Sequence, residues 1–262
     1  VEPIRLKEIP NGIRSIVGDI IEIAFPRQGH TSNVGILKTT NGYYVLKRTK
    51  GEQYSSLLTK EVHVLNELSQ TELSIPKVYN YIEDKNEDSF WSLMENIEGE
   101  TLRSYLSIEN TKEKKYEAIY NFGKTLSKLH STICPDSLIN NKLWLDDQLI
   151  QADYNFKNFK VDGTLKVLNR LKENKPRTVN QTLIHGDFTI DNVLVKNGEI
   201  TGIIDWSGVA YGDPRYDVSL AIRPKPNIFE NKAEVTIFFE GYGNRLISDE
   251  KYQYFVGIYE FF

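Results

Sequence analysis

The sequence predicts an α+β fold in two lobes. Residues 1–97 read as a small antiparallel sheet with one helix, and residues 98–262 as a larger, mostly helical part. Three observations predict it. Asn41-Gly42 and Asn197-Gly198 each separate short runs rich in β-branched and aromatic residues, the strongest short-range signal for a hairpin. Before Glu98 a single stretch, residues 55–69, keeps helical spacing through Leu58, Val62, Leu65 and Leu68. After Gly99 such stretches dominate.

The elements follow in order. Residues 16–25 are apolar-rich and strand-like, and residues 26–33 have a loop composition. Residues 34–38 and 43–48 form the two arms of the first hairpin. The helix at 55–69 ends before Pro76, and residues 78–82 and 90–95 read as two more strands. A connector at 95–99 leads to a helix over 116–130, whose Ala118, Ile119, Phe122, Leu126 and Leu129 share one face. Residues 165–171 give a shorter helix. The second hairpin pairs 193–196 with 199–205, and the tail from 216 is helical and aromatic.

Composition excludes several classes of function. With 40% apolar and 26% charged residues, the chain is neither disordered nor collagen-like. Its 32 Lys/Arg against 36 Asp/Glu, net charge −4, give no basic surface for nucleic acid or acidic lipid. Cys134 is the single cysteine, so neither an internal disulfide nor a thiolate zinc site is expected, and the four histidines are scattered. No apolar run approaches the roughly 20 residues that span a bilayer. The polar start Val1-Glu2-Pro3-Ile4-Arg5 does not read as a signal peptide, so a cytoplasmic location is expected. No feature of the sequence speaks to oligomeric state.

Two groups of charges stand where core residues belong. Glu61 falls within the apolar stripe of the 55–69 helix, where an unpaired carboxylate costs several kcal/mol. Lys47, sharing a strand face with Tyr43 and Val45, is the candidate partner. An exposed lysine and a boundary glutamate fit these two residues equally well. In the second hairpin, a two-residue Asn197-Gly198 turn sets Asn192 opposite Ile203 and turns Asp205 toward the same face as Asn192. An amide oxygen and a carboxylate suit Mg²⁺, a hard cation that takes oxygen ligands. Asp187, in the tight His185-Gly186-Asp187 loop, is placed to accept a proton from an attacking hydroxyl.

His185-Gly186-Asp187-Phe188, Asn192, and Gly202-Ile203-Ile204-Asp205-Trp206 together resemble the core signature of aminoglycoside phosphotransferase-type kinases. That superfamily includes choline, homoserine and methylthioribose kinases and is related to the protein-kinase fold. The resemblance extends through Lys47, Glu61, Met94-Glu95-Asn96-Ile97, Leu126-Ser127-Lys128-Leu129-His130 and Gly212-Asp213-Pro214-Arg215-Tyr216-Asp217. It implies a two-lobed protein-kinase-like fold and ATP- and Mg²⁺-dependent phosphorylation of a small-molecule hydroxyl, with an aminoglycoside as the first acceptor to consider.

By that resemblance Asp187 is the catalytic aspartate, and Asn192 and Asp205 ligate Mg²⁺. Lys47 bridges phosphate oxygens and Glu61 holds it. Glu95 and Ile97 present backbone groups to the adenine edge, an arrangement that GTP also satisfies. The loop at 27–33 covers the phosphates. It has one glycine, Gly29, and relies on backbone N–H groups at Thr31, Ser32 and Asn33. His185 and His130 are read as structural and Asp213 as a helix cap, while Asp217 either braces the loop or faces the acceptor. The competing readings are a kinase for choline, homoserine, a sugar or a macrolide, and a non-catalytic nucleotide-binding module. Protein phosphorylation is weaker, because Ile204-Asp205-Trp206 stands in place of Asp-Phe-Gly and no long activation segment follows.

Overall fold

In the computed structural model, residues 3–26, 31–84, 87–108, 111–140, 142–226, 228–243 and 247–262 are described. The chain divides into two units. The first is Val1–Glu98 with Gly202–Ser207, and the second is Gly99–Thr201 with Gly208–Phe262. Residues 202–207 therefore leave their sequence neighbours and join the first unit.

Five antiparallel strands form the sheet of the first unit: β1 (Ile20–Ala24), β2 (Asn33–Thr39), β3 (Gly42–Lys50), β4 (Val78–Asp84) and β5 (Ser89–Glu95), in the order β1-β2-β3-β5-β4. Alternation on β3 sends Leu46 to one face of the sheet and Lys47 to the other. On the Leu46 side, Ile4, Ile9, Ile13, Val17, Leu37, Trp91 and Leu93 close a core. Arg48 is buried on this side too, with its guanidinium 5.4 Å from the Trp91 ring and 3.0 Å from Glu8 Oε2. The long helix α2 (Glu52–Leu68) buries Leu58, Val62, Leu65 and Leu68, and Glu61 lies buried among them.

Two expectations need correction. The first lobe holds a second helix, α1 (Asn11–Val17), where one was expected. Ile13, Ile16 and Val17 make its stripe, but seven residues running almost directly into β1 look like one apolar strand. The first hairpin also turns one residue earlier than its Asn-Gly pair suggests. Thr39 pairs with Gly42, so Thr40 and Asn41 are the turn and Gly42 opens β3. Thr39 Oγ1 accepts from Asn41 N–H at 3.1 Å and donates to Gly42 O at 2.9 Å, which fixes the turn by side-chain chemistry that an Asn-Gly signal does not contain.

The second hairpin turns where expected, but its second arm ends at Ile203 and not at Asp205, which has left-handed backbone, φ 64°, and so is not set on the Asn192 face by strand alternation. β8 (Val193–Lys196) and β9 (Glu199–Ile203) flank Asn197 and Gly198, both with positive φ, 55° and 86°, as a primed turn requires. The two-residue β6 (Glu100–Thr101) pairs with β8, and β7 (Thr182–Ile184) pairs with β10 (Ala210–Gly212). Around them pack α3 (Leu102–Ile108), α4 (Lys112–Ser131), α5 (Trp144–Asn158), α6 (Leu165–Glu173), α7 (Pro214–Ala221), α8 (Lys232–Tyr242) and α9 (Asp249–Tyr259). α7 is buried along its whole length. Helices α4 and α8 touch backbone to backbone through two glycines. A Cβ on Gly123 would lie 2.1 Å from Phe238 O, and one on Gly241 would lie 2.0 Å from Tyr120 O. Neither carbonyl can retreat without unpicking its helix. Gly123→Ala is therefore expected to cost about 1–3 kcal/mol, read as a lower urea midpoint at unchanged slope.

Candidate active site

In the first unit the chemistry gathers on Lys47. Its Nζ lies 2.7 and 3.0 Å from the two oxygens of Glu61 and also bonds Asp205 Oδ1. Glu61 Oε1 accepts a further bond, 3.2 Å, from the backbone N–H of Trp206. Three donated hydrogen bonds, two from Lys47 and one from Trp206, thus converge on the buried Glu61 carboxylate. Burial alone would pull the Lys47 ammonium down, but the charges of Asp205 and Glu61 outweigh it and hold Lys47 above its ordinary range. One ammonium between two carboxylates leaves the group with one net negative charge.

Asp205 stands beyond the end of β9 with left-handed backbone, φ 64°, so strand alternation does not set its direction. The segment is held by Ile203 N–H to Ser74 O at 2.9 Å and by the fully buried Trp206, whose indole N–H donates to Ile203 O at 2.8 Å. Asn33 opens β2 opposite Arg48, and its side-chain oxygen accepts from that guanidinium at 3.4 Å. Ser32 is half-buried beside it. Thr31 is exposed, and Arg27, Gln28, Gly29 and His30, the first four residues of that expected loop, lie outside the described residues. Glu95 ends β5, paired with Tyr44, and its N–H donates to Lys77 O at 2.8 Å. Ile97 packs where a side chain on Gly202 would be: a Cβ there would lie 2.6 Å from Ile97 Cδ1.

In the second unit the chemistry gathers on Asp187. Asn192 Nδ2 donates to Asp187 Oδ2 at 2.7 Å and to its carbonyl at 2.8 Å. Both amide hydrogens are thus spent, and Asn192 Oδ1 remains as an oxygen donor. Tyr259, the last residue of α9, donates its hydroxyl to Asp187 Oδ1 at 3.2 Å. The loop itself is tightly made. Gly186 has φ 82°, and a Cβ there would lie 2.2 Å from Gly208 O. Phe188 is buried and stacks on Phe122 at 4.8 Å.

Asp217, with no exposed surface, accepts from His185 N–H at 2.6 Å and Gly186 N–H at 2.8 Å. His130 Nε2 approaches the same carboxylate at 3.3 Å, and His130 Nδ1 lies 2.7 Å from the Tyr242 hydroxyl. Of its two expected roles Asp217 takes the brace. Asp213 caps α7, accepting from Arg215 N–H at 3.0 Å, with Pro214 at the first helical position.

As donors for a metal, Asn192 Oδ1 and the Asp205 carboxylate, whose side chain is 52% exposed, are the oxygen type that a hard cation takes. Among the described residues no group of three or more His, Cys, Asp or Glu is assembled to hold a metal ion. Each of the two, taken within its own unit, is an oxygen donor of the type a hard cation takes and not a transition-metal ligand set.

Residues 22–250 match the phosphotransferase enzyme family. The chain belongs to that family. Among its relatives, an aminoglycoside 3'-phosphotransferase of Niallia circulans is 30% identical over 92 residues, a stretch that is 35% of either chain. Another, from Enterococcus faecalis, is 26% identical over 241 residues, 86% of this chain and 84% of that one. The fold is that of solved aminoglycoside phosphotransferases. A thermostable mutant of APH(4)-Ia, in a ternary complex with ADP and hygromycin B, superposes with a TM-score of 0.68 at 20% identity, over 95% of this chain and 88% of that one.

Within this phosphotransferase three contacts escape sequence reasoning. Asp205 reaches Lys47 across 158 residues, Trp206 reaches Glu61 across 145, and Tyr259 reaches Asp187 across 72. Asp205 and Trp206 share one motif, which suggested a metal and not an ammonium for Asp205 and no partner for Trp206. Tyr259 had no signal beyond an aromatic tail.

Proposed function

We propose that this phosphotransferase moves the terminal phosphoryl group of ATP to a hydroxyl of a small molecule, with an aminoglycoside as the first acceptor. The observation that carries this is the buried Lys47, an ammonium fixed by Glu61 and Asp205 and so prepared to meet phosphate oxygens without reorganising. Asp187 orients the acceptor hydroxyl. As the new oxygen–phosphorus bond forms and the bond to the ADP oxygen breaks, Asp187 takes the hydroxyl proton. Backbone groups of Ser32 and Asn33 serve the phosphates, and the Glu95 carbonyl and Ile97 backbone serve the base, which GTP would also satisfy. Asn192 and Asp205 are the residues that would hold Mg²⁺, which when bound adds positive charge against the phosphate oxygens. On this reading residues 1–97 grip nucleotide and residues 98–262 carry catalysis and the acceptor. We place the activity in the cytoplasm, with ATP; no helix among the described residues is long and apolar enough to cross a membrane.

A panel of aminoglycosides, choline, homoserine and a macrolide, followed by ADP release, tests it. Turnover of an aminoglycoside is expected, and none with any aminoglycoside overturns that acceptor. Lys47→Ala is expected to lower turnover or ATP affinity about 10- to 100-fold with the fold retained, the worth of a hydrogen bond to a charged group. A second reading, an acceptor bearing a carboxylate or phosphate, is favoured by the cations near Asp187. Arg223 lies 5.3 Å from the Tyr259 ring, and Lys225 feels the charges of Arg103, Arg223, Asp191 and Asp187. Homoserine in the panel represents that class.

A further inference from the structure

We propose that Tyr242 is a positioning residue for phosphoryl transfer, setting through His130 the Asp217 brace under the His185-Gly186-Asp187 loop. The proposal rests on that loop carrying the group that takes the acceptor proton. A chain of contacts within the second unit leads to it. The Tyr242 hydroxyl lies 2.7 Å from His130 Nδ1, and His130 Nε2 lies 3.3 Å from Asp217 Oδ2. Asp217 in turn accepts the His185 and Gly186 amides. The order of protons along this chain follows from the carboxylate. A proton on Nδ1 alone would turn the Nε2 lone pair toward Asp217 Oδ2, acceptor against acceptor. With the proton on Nε2, that nitrogen donates to Asp217, and Nδ1 is left to accept the Tyr242 O–H.

Packing fixes both ends of the first contact. His130 and Tyr242 stand in the last turns of α4 and α8, the helices whose backbones meet at Gly123 and Gly241. A Cβ on Gly123 would lie 3.0 Å from Tyr242 N, so the tyrosine backbone lies directly against α4. Its ring stacks on Phe238 at 6.1 Å and meets the His130 ring edge-on at 5.7 Å. The Asp217 side chain has no exposed surface, and that of His130 has little. Burial, with the charges of Asp217 and Asp213, pushes the Tyr242 hydroxyl above its ordinary range, so it keeps its proton to donate. A buried imidazole served at both nitrogens holds one ring plane and one tautomer. Without the hydroxyl, Nδ1 becomes a buried acceptor whose donor is gone, and any ring rotation that finds another takes Nε2 off Asp217.

The test is Tyr242→Phe, which keeps the ring and removes the hydroxyl. Nitrogen NMR of isotope-labelled histidine rings, at about pH 8 and so above the ordinary imidazole range, reads the tautomer. The parent is expected to show His130 protonated at Nε2 and bare at Nδ1. In Tyr242→Phe the Nδ1 signal is expected to lose the shift that an accepted hydrogen bond gives it. The His185 and Gly186 amides are expected to exchange about 5-fold faster, the worth of one hydrogen bond, beyond any change shared by the amides of α4. Turnover is expected to fall about 3- to 10-fold with KM for ATP unchanged. His130→Gln offers an N–H in place of Nε2 and no ring nitrogen in place of Nδ1. In that background Tyr242→Phe is expected to change turnover by less than about twofold. A parent His130 protonated at Nδ1, or at both nitrogens, overturns the proposal. So do unmoved loop amides, unchanged turnover, a loss that merely follows a lower thermal midpoint, or an equal loss in the His130→Gln background. The ring and amide readouts need no acceptor: if nothing in the panel is phosphorylated, the kinase reading fails while they still decide whether Tyr242 sets the brace. They decide it equally if His130→Gln does not fold.

Discussion

Asp187→Asn is expected to abolish nearly all phosphoryl transfer, by about 10²- to 10⁴-fold in turnover, while the protein melts within a few degrees of the parent. The substitution keeps the size, and its one amide oxygen can accept from either Tyr259 or Asn192 but not from both. What it removes is the carboxylate proposed to take the acceptor proton. Nucleotide affinity, which is assigned to Lys47 and its neighbours in the first unit, is expected to change little. ADP release at saturating ATP and acceptor, with a calorimetric or fluorescence titration of nucleotide, separates the two quantities. Turnover within threefold of the parent would remove Asp187 from the mechanism.

Asp217→Ala is the second large effect, and it falls first on stability. The carboxylate accepts from His185 N–H at 2.6 Å and Gly186 N–H at 2.8 Å, and it faces the His130 ring, itself only 6% exposed. Alanine leaves both backbone donors buried without an acceptor, at about 1–3 kcal/mol each, and takes a partner from His130. The expected loss is about 3–5 kcal/mol, or roughly 10 °C in thermal midpoint for a chain of this size. Activity is expected to fall further than the unfolded fraction explains, because the same two amides fix the loop that carries Asp187. A variant with parental melting and parental turnover would show that the loop holds its shape without the brace.

The sequence made some of this legible and hid the rest for physical reasons. Asn197-Gly198 could be read because both residues tolerate positive φ and the structure needs it at both. Lys47 and Glu61 could be read because an ionised group in an apolar stripe must find a partner, and the nearest opposite charge of suitable geometry lay on the adjoining strand. Helix α1 was hidden by length, since two turns do not establish a period against the apolar run that follows. The slip of the first turn was hidden in the Thr39 hydroxyl, which competes with the glycine signal. Asp205 on Lys47 and Tyr259 on Asp187 were hidden by separation: no pattern of period 2 or 3.6 spans 158 or 72 residues.

The return of residues 202–207 to the first unit has a consequence for how the protein is made. Lys47 and Glu61 leave the ribosome together, but the Trp206 amide that completes the Glu61 shell follows 145 residues later. At a synthesis rate of about 5–20 residues per second, that is a wait of roughly 7–30 s. Through that interval the buried carboxylate of a nascent first unit has the Lys47 ammonium and lacks both the backbone donor and the strand end that brings Asp205. The first unit is therefore translated first and finished late, and a nascent chain stalled short of residue 206 would carry a lysine that is paired but not yet set.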